Sequence, residues 1–490
     1  FNIEPNYRPE ILARFTEKTG ITEIPKNEND PHYAEFLQFF RDEYAETRRH
    51  YINAVHEKYP DFQICCNWDY TSYDSEKVDS DISFISADIW GMTTFNILRM
   101  ESRFISGQKK PWDLMLWCDA AKYAGGFVNC LKPSVQLMHE ASQIMMHGGG
   151  VELYMLQEPD GGVDIKKLDK FKETFDYCRK YREYLFGSES LSQIAVLFDG
   201  KTAMKMNNKA YGFFEGSMLD GINGILQCFA DSQQSVDVIG EWELDNPALQ
   251  YKLIVVPEWA ELSCKDKLLA FAENGGSLLI IGSGATRLFE KELGVSITDT
   301  VKQKRVFIGD KYDYCSFGEL SDINEVKVLT AVAAENAFLN SDFSDIHTAL
   351  TVNGLGKGKI AGIYFDMGQQ YISGRTAGAC DFVKRTVSKL LQKPELTVTG
   401  SRNVEVALRR NCGKKEVVLL NCSGPHSDPN TFTYDELLPI CNITVKVKTE
   451  NKPERVVRQP ENLQLDFEWD GEYTVVKLEK LEIMSVITLD

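Results

Sequence analysis

Four carboxylates in the first part of the chain stand just beyond short apolar runs: Asp69, Asp88, Asp119 and Glu158. Two such groups facing one another, one protonated and one ionised, are the equipment for acid and base work on a glycosidic bond. The separation required is about 5–5.5 Å for retention and about 6.5–9.5 Å for inversion. Polar and aromatic residues share these positions: Asn67, Trp68, Trp90, Trp117 and Gln157. The apolar face of a sugar ring packs on an indole while its hydroxyls meet amides and carboxylates. One tryptophan in such a place is more often core than platform; three at equivalent topological positions point to a ligand.

The elements that must position these residues are legible as alternating strands and helices. Phe62–Cys66, Ile82–Ala87, Trp112–Leu116 and Val151–Leu156 read as strands buried on both faces, and helical stretches lie near 33–58, 94–107, 133–147 and 166–185. Four strand-and-helix units are half of a (β/α)8 barrel, with an open α/β sheet as the alternative. In a barrel the active site lies at the C-terminal ends of the strands, so a carboxylate directly after a strand outranks one on a helix. Asp88 ends its run most cleanly; its competing reading is a loop cap or a buried ion-pair partner. Asp69 and Glu158 suit substrate binding better than proton transfer, and Asp160-Gly161-Gly162 reads as a plain turn.

Composition narrows the function classes. The chain has 490 residues, enough for about three domains, with 43% apolar residues and a net charge of -18. That charge argues against nucleic acid, which demands clustered Lys and Arg. No apolar run approaches the roughly 18 residues of a membrane span, so a soluble protein without a membrane partner is expected. Twelve cysteines and seven histidines are dispersed without CxxC or HExxH spacing, and neither a metal nor a cofactor is expected. Cys65 and Cys66 are read as strand packing. The opening Phe1, with no initiator Met and no signal-like segment, suggests a processed or truncated chain and leaves export open.

After Phe186-Gly187-Ser188-Glu189-Ser190 a second unit begins, with strands at Ile194–Phe198, Leu253–Pro257 and Gly275–Gly282 and helices through 219–226 and 265–274, the pattern of a doubly wound sheet. Gly282-Ser283-Gly284 lacks the full GxGxxG and is read as a tight turn. Glu258-Trp259-Ala260 stands where an amidotransferase would carry its nucleophilic cysteine, so this unit is expected to be non-catalytic. From about residue 396, short alternating segments such as Val404–Leu408, Glu416–Leu420, Ile443–Val447 and Tyr473–Leu478 predict a small antiparallel sandwich of structural role. The expected domains are thus 1–187, 188–395 and 396–490.

This order of domains carries a resemblance. Residues 8–187, with Pro9–Phe15, Cys66-Asn67-Trp68, Ala87–Gly91 and Gly148–Tyr154, are similar to the latter half of the barrel of family 42 β-galactosidase-like glycoside hydrolases, and closer still to a group labelled α-L-fucosidase-like. Residues 190–390, most recognisably Asp245–Pro257 and Gly275–Leu278, resemble the trimerisation domain of that superfamily. The resemblance implies a carbohydrate substrate, a two-carboxylate mechanism and a homo-oligomer, a trimer first. Asp88 aligns best with an acidic position of the related barrels. The family acid/base glutamate would fall just before Phe1, which makes Glu4 the nearest surviving carboxylate, although no Asn precedes it. The family nucleophile ends the seventh strand, where Leu116-Trp117-Cys118-Asp119 offers only Asp119. The alternative is a catalytically inactive carbohydrate-binding or assembly protein on the same scaffold.

Overall fold

The computed structural model describes residues 4–89, 94–122, 128–155, 157–158, 160–207, 209–210, 219–302, 304–318, 322–428 and 431–490. In the first region, helices α1 (Pro9–Thr19), α2 (Tyr33–Lys58), α3 (Thr94–Gly107), α4 (Ser134–Met145) and α5 (Leu168–Leu185) accompany strands β1 (Ile85–Ile89), β2 (Trp112–Trp117), β3 (Asp119–Lys122), β4 (Val128–Leu131) and β5 (Gly150–Tyr154). Pro9 at the first turn and the left-handed Gly20 at the end punctuate α1.

β1, β2 and β5 form a parallel wall in chain order. Its outer face, with Ile85, Ala87, Ile89, Leu114 and Leu116, packs against Leu98, Ile105, Ala141, Ile144 and Leu185 of the helices. Among the described residues the wall is open and does not close into a barrel.

Three expectations are corrected here. Phe62–Cys66 is not a strand; the segment touches β1 through Ser83 N–H to the Ile64 carbonyl (2.8 Å) and Trp68 N–H to the Ser86 carbonyl (3.2 Å), with one isolated parallel bridge at Asn67. Left-handed backbone at Trp68 (φ 69°) and Tyr70 (φ 64°) breaks its extended path. β1 starts at Ile85, so Asp88 lies inside the strand and does not follow it. Between β2 and α4 the chain forms an unforeseen hairpin, β3 with β4, pairing Asp119 with Leu131.

The second region is a nine-stranded sheet. Its parallel part runs Gly358–Ile363, Ser277–Ile281, Leu253–Val256, Ile194–Phe198, Val236–Gly240, and an antiparallel extension, absent from the sequence reading, continues through Ile346–Leu355, Val332–Phe338, Val306–Gly309 and Tyr314–Phe317. Strands Ile194–Phe198, Leu253–Val256 and Ser277–Ile281 are buried at every residue.

The third region stacks two antiparallel sheets about a core that includes Val406, Leu408, Val417, Leu419, Val445 and Leu478. The larger sheet also recruits Glu189–Ser190, paired with Arg409 and Arg410. Its far face is not solvated: Ala407, Val418, Leu420, Met484 and Val486 pack against the helices of the wall. Residues 404–409 are therefore buried on both sides, so Glu405, Ala407 and Arg409 on the second face are enclosed and not solvated. At this junction the fully buried Glu405 accepts hydrogen bonds from Arg99 Nε (2.8 Å), Arg103 (2.6 Å) and Gln143 (2.9 Å). Burial alone would raise the Glu405 carboxyl; Arg99 and Arg103 hold it well below the usual range. Among the described residues no helix is long and apolar enough to cross a membrane.

Candidate active site

The inner face of the wall is built in layers by the strand register. Ser86, Asp113 and Gly150 form one row, Asp88, Met115 and Glu152 the next, and Trp117 with Tyr154 the third. Side chains alternate along a strand, so these rows look to the side opposite the helices. The burial of β1 confirms it, with Ile85, Ala87 and Ile89 enclosed and Ser86 and Asp88 half-buried. The result is a patch with three carboxylates and an aromatic rim, Trp117 packing on Tyr154 at 4.9 Å.

Each carboxylate has its own surroundings. Asp88 is raised by burial, against which the side chains of Trp68 and Asn67 donate hydrogen bonds that favour its anion. Asp113 is likewise raised by burial, and Ser86 Oγ donates to it at 2.6 Å. Glu152 is raised by burial and further by the charges of Asp113 and Asp88. Cys65 faces the same group, its thiol raised by burial and by Asp113. Carboxylates gathered this way do not all ionise freely, and the last proton is held near neutral pH more readily than on an isolated acid.

The structure thus brings Asn67, Trp68 and Asp88 together and places Trp117 on the same face. It puts Asp69 elsewhere: this side chain is buried with its Oδ2 3.3 Å from Arg48. Asp119 is buried at the start of the hairpin, one of its oxygens without a hydrogen bond. Glu158 and Gln157 are exposed, and Glu158 pairs with Lys167 at 3.5 Å. Glu4 is exposed near Tyr33 at the start of α2. Trp90 lies outside the described residues. Asp113 and Glu152 were not singled out from the sequence; the available signal was an acid inside an apolar strand, as in Trp112-Asp113-Leu114 and Val151-Glu152-Leu153.

The second sheet handles its strand-end acids differently. Asp199 accepts from Thr202 N and Oγ1 and from Ser263 N and Oγ, capping the following helix. Glu258 reaches the turn at Gly282-Ser283-Gly284 and accepts from Gly284 N–H at 2.7 Å, so the chain's own carboxylate fills the space a bound anion would take. Gly282 is left-handed (φ 116°) and any side chain there would run into Glu258. Among the described residues no group of three or more His, Cys, Asp or Glu could hold a metal ion.

The fold is that of family 42-like and fucosidase-like glycoside hydrolases. Among solved structures, the α-L-fucosidase isoenzyme 2 from Paenibacillus thiaminolyticus superposes with a TM-score of 0.75 at 13% identity, over 99% of this chain and 76% of that one. A GH42 β-galactosidase from G. stearothermophilus, in a catalytic mutant form, gives 0.66 at 15% identity over 99% and 74%. The β-galactosidase from Bacillus circulans sp. alkalophilus gives 0.65 at 12% over 96% and 70%. At these identities the likeness is one of fold. No protein-family model matches the chain, and no curated protein does.

Proposed function

We propose that this chain is a glycoside hydrolase of galactosidase or fucosidase type, working through carboxylates on the inner face of an incomplete (β/α)8 wall. The observation that carries the reading is the row Asp88, Met115, Glu152: two acids in one register, two strand spacings apart. That is roughly 9.6 Å between Cα atoms, from which side chains leaning across a concave wall can close to the about 5–9.5 Å of a glycosidase pair. Burial raises both acids, and Trp68 and Asn67 offset it at Asp88 alone, which makes Asp88 the better nucleophile or base of the two. Glu152, raised by burial and two neighbouring acids, suits the proton donor. Trp117 and Tyr154 supply the surface on which a sugar ring would pack. Asp119, Glu158 and Glu4 remain carboxylates of the same region and are the comparison set. Assembly as a trimer through the second region belongs to the same proposal.

The test is hydrolysis of nitrophenyl galactosides, fucosides and arabinosides by the wild type and by Asp88→Asn, Glu152→Gln, Asp119→Asn and Glu158→Gln. Collapse of kcat in the first two with circular dichroism unchanged supports the reading. Turnover untouched in both overturns the assignment of the pair, and no turnover on any glycoside, with retained sugar binding, would favour the non-catalytic alternative.

A further inference from the structure

We propose that Arg48 of α2 is a positioning residue that holds Trp68 and Asn67 onto Asp88. The stretch that follows Asn67 takes a costly path. Trp68 and Tyr70 are both left-handed, a conformation that non-glycine residues keep only where the surroundings over-determine it. Trp68 is also the residue whose side chain, with that of Asn67, bonds Asp88. Something outside the wall must therefore keep this stretch in place.

Gln108, just after α3, donates to the Tyr70 and Glu76 carbonyls, and one guanidinium gathers the acids of the stretch. Arg48 is 1% exposed, and four carboxylates from residues 69–79 converge on it: Asp69 at 3.3 Å, Asp74 at 3.6 Å, Glu76 at 3.4 Å and Asp79 at 3.1 Å. Its planar face lies on the ring of Tyr70, 4.6 Å from the centroid, and the Tyr70 hydroxyl donates to Asp79 at 2.6 Å. Burial, together with the mutual repulsion of four acids at such spacing, raises the carboxyls of Asp74 and Glu76, and Arg48 is the cation that offsets this. Arg48 thus converts a self-repelling segment into a closed loop. Thr71 Oγ1 donates to the Trp68 carbonyl at 2.7 Å, which carries the hold to the site end, and Ser72 donates its N–H to Glu101 of α3 at 3.1 Å, which ties the loop to a helix. Through these contacts Arg48 acts on the site by way of the loop.

The groups facing Asp88 define the readout. Asn67 and Trp68 lower its pKa from one side, while Asp113 on β2 and Glu152 on β5 lie across the wall. Loosening the loop removes the first pair and leaves the acids. In Arg48→Met the Asp88 carboxyl, followed by carbon-detected NMR titration, should rise by about one pH unit. Arg48→Lys, which keeps the charge but not the fork, should give part of that rise. Trp68→Phe removes the indole donor directly, and adding Arg48→Met to it should then raise Asp88 further only by the part that Asn67 supplies. Tyr70→Phe, a conservative change that loosens the same loop, keeps the test open if Arg48→Met does not fold.

An Asp88 titration identical in folded Arg48→Met, Arg48→Lys and Tyr70→Phe, with Trp68→Phe still shifting it, would overturn the proposal. Since the titration needs no turnover, this outcome is separate from failure of the glycosidase reading, on which the proposal rests only for its catalytic consequence: a fall in kcat with KM nearly unchanged.

Discussion

The two parallel sheets of this chain are built from similar apolar strands, and they do opposite things with the acids in and just after those strands. In the wall, burial alternates along β1, and the half-exposed face presents Asp88, Asp113 and Glu152 to open space. In the second sheet the parallel strands are enclosed on both faces, and Asp199 and Glu258 turn back onto backbone N–H groups of their own fold. An acid in or just after a strand is thus left free for a site only where one face of the sheet is unpacked. Where both faces are covered, the same residue type becomes a cap.

The comparison can be broken by substitution. Asp88→Asn should cost about 10⁴-fold in kcat, within the range for a group that handles a proton or forms a bond, and leave the unfolding midpoint nearly unchanged. If Asp88→Asn keeps its turnover and instead loses stability, the wall acids are structural too. Glu405→Gln tests whether the wall's outer side is as closed as the second sheet. Leaving Arg103 without its anion, and Arg99 with Asp231 alone, should cost about 3 kcal/mol in urea unfolding.

Glu258 gives a smaller and pH-dependent effect. Burial and then Asp366 raise its carboxyl to about 7, above the ordinary 4.5. The folded state then binds more protons than the unfolded one between these values, so stability is greatest below about pH 4.5 and falls as pH rises through 7. The whole loss is on the order of 3 kcal/mol. Glu258→Gln should flatten that decline, as unfolding curves at pH 5 and pH 8 will show; an unchanged slope would mean the carboxylate is not held as described. Asp199→Ala should cost about 2 kcal/mol through the lost cap and the Ser263 donors left behind, with no effect on turnover.

Local order was the part most legible in the amino-acid sequence. Both ends of α2 and the C-terminal end of α3 coincide with the expected 33–58 and 94–107, because an apolar stripe of helical period carries its own boundaries. Ile194–Phe198 matched for the related reason that a fully enclosed strand is a continuous apolar run. Phe62–Cys66 misled because it has strand composition while its path is decided by Trp68, Tyr70 and contacts to Arg48, which no local pattern shows. The same holds for Asp69: its neighbour Trp68 faces the site, and the left-handed turn between them sends the carboxylate to Arg48. Asp113 and Glu152 stand within strands, where nothing local distinguishes an acid that faces a site from one that pairs inside the core. After residue 396 burial alternates along Ile440–Lys448 and Tyr473–Leu481, and it is lost along Val404–Asn411 because helices from the first region cover the second face of the larger sheet.

That shared face has a consequence for how the protein comes into being. Tyr181 on α5 donates its hydroxyl to the Met484 carbonyl at 2.8 Å, across a separation of 303 residues. A ribosome adding about 5–20 residues per second needs about 15–60 s to bring the second partner out after the first. Throughout that interval the helices of the wall have emerged with their apolar outer surface waiting for its cover. Synthesis speed and chaperone supply, rather than the equilibrium stability of the finished molecule, should therefore govern the yield of active protein in a cell.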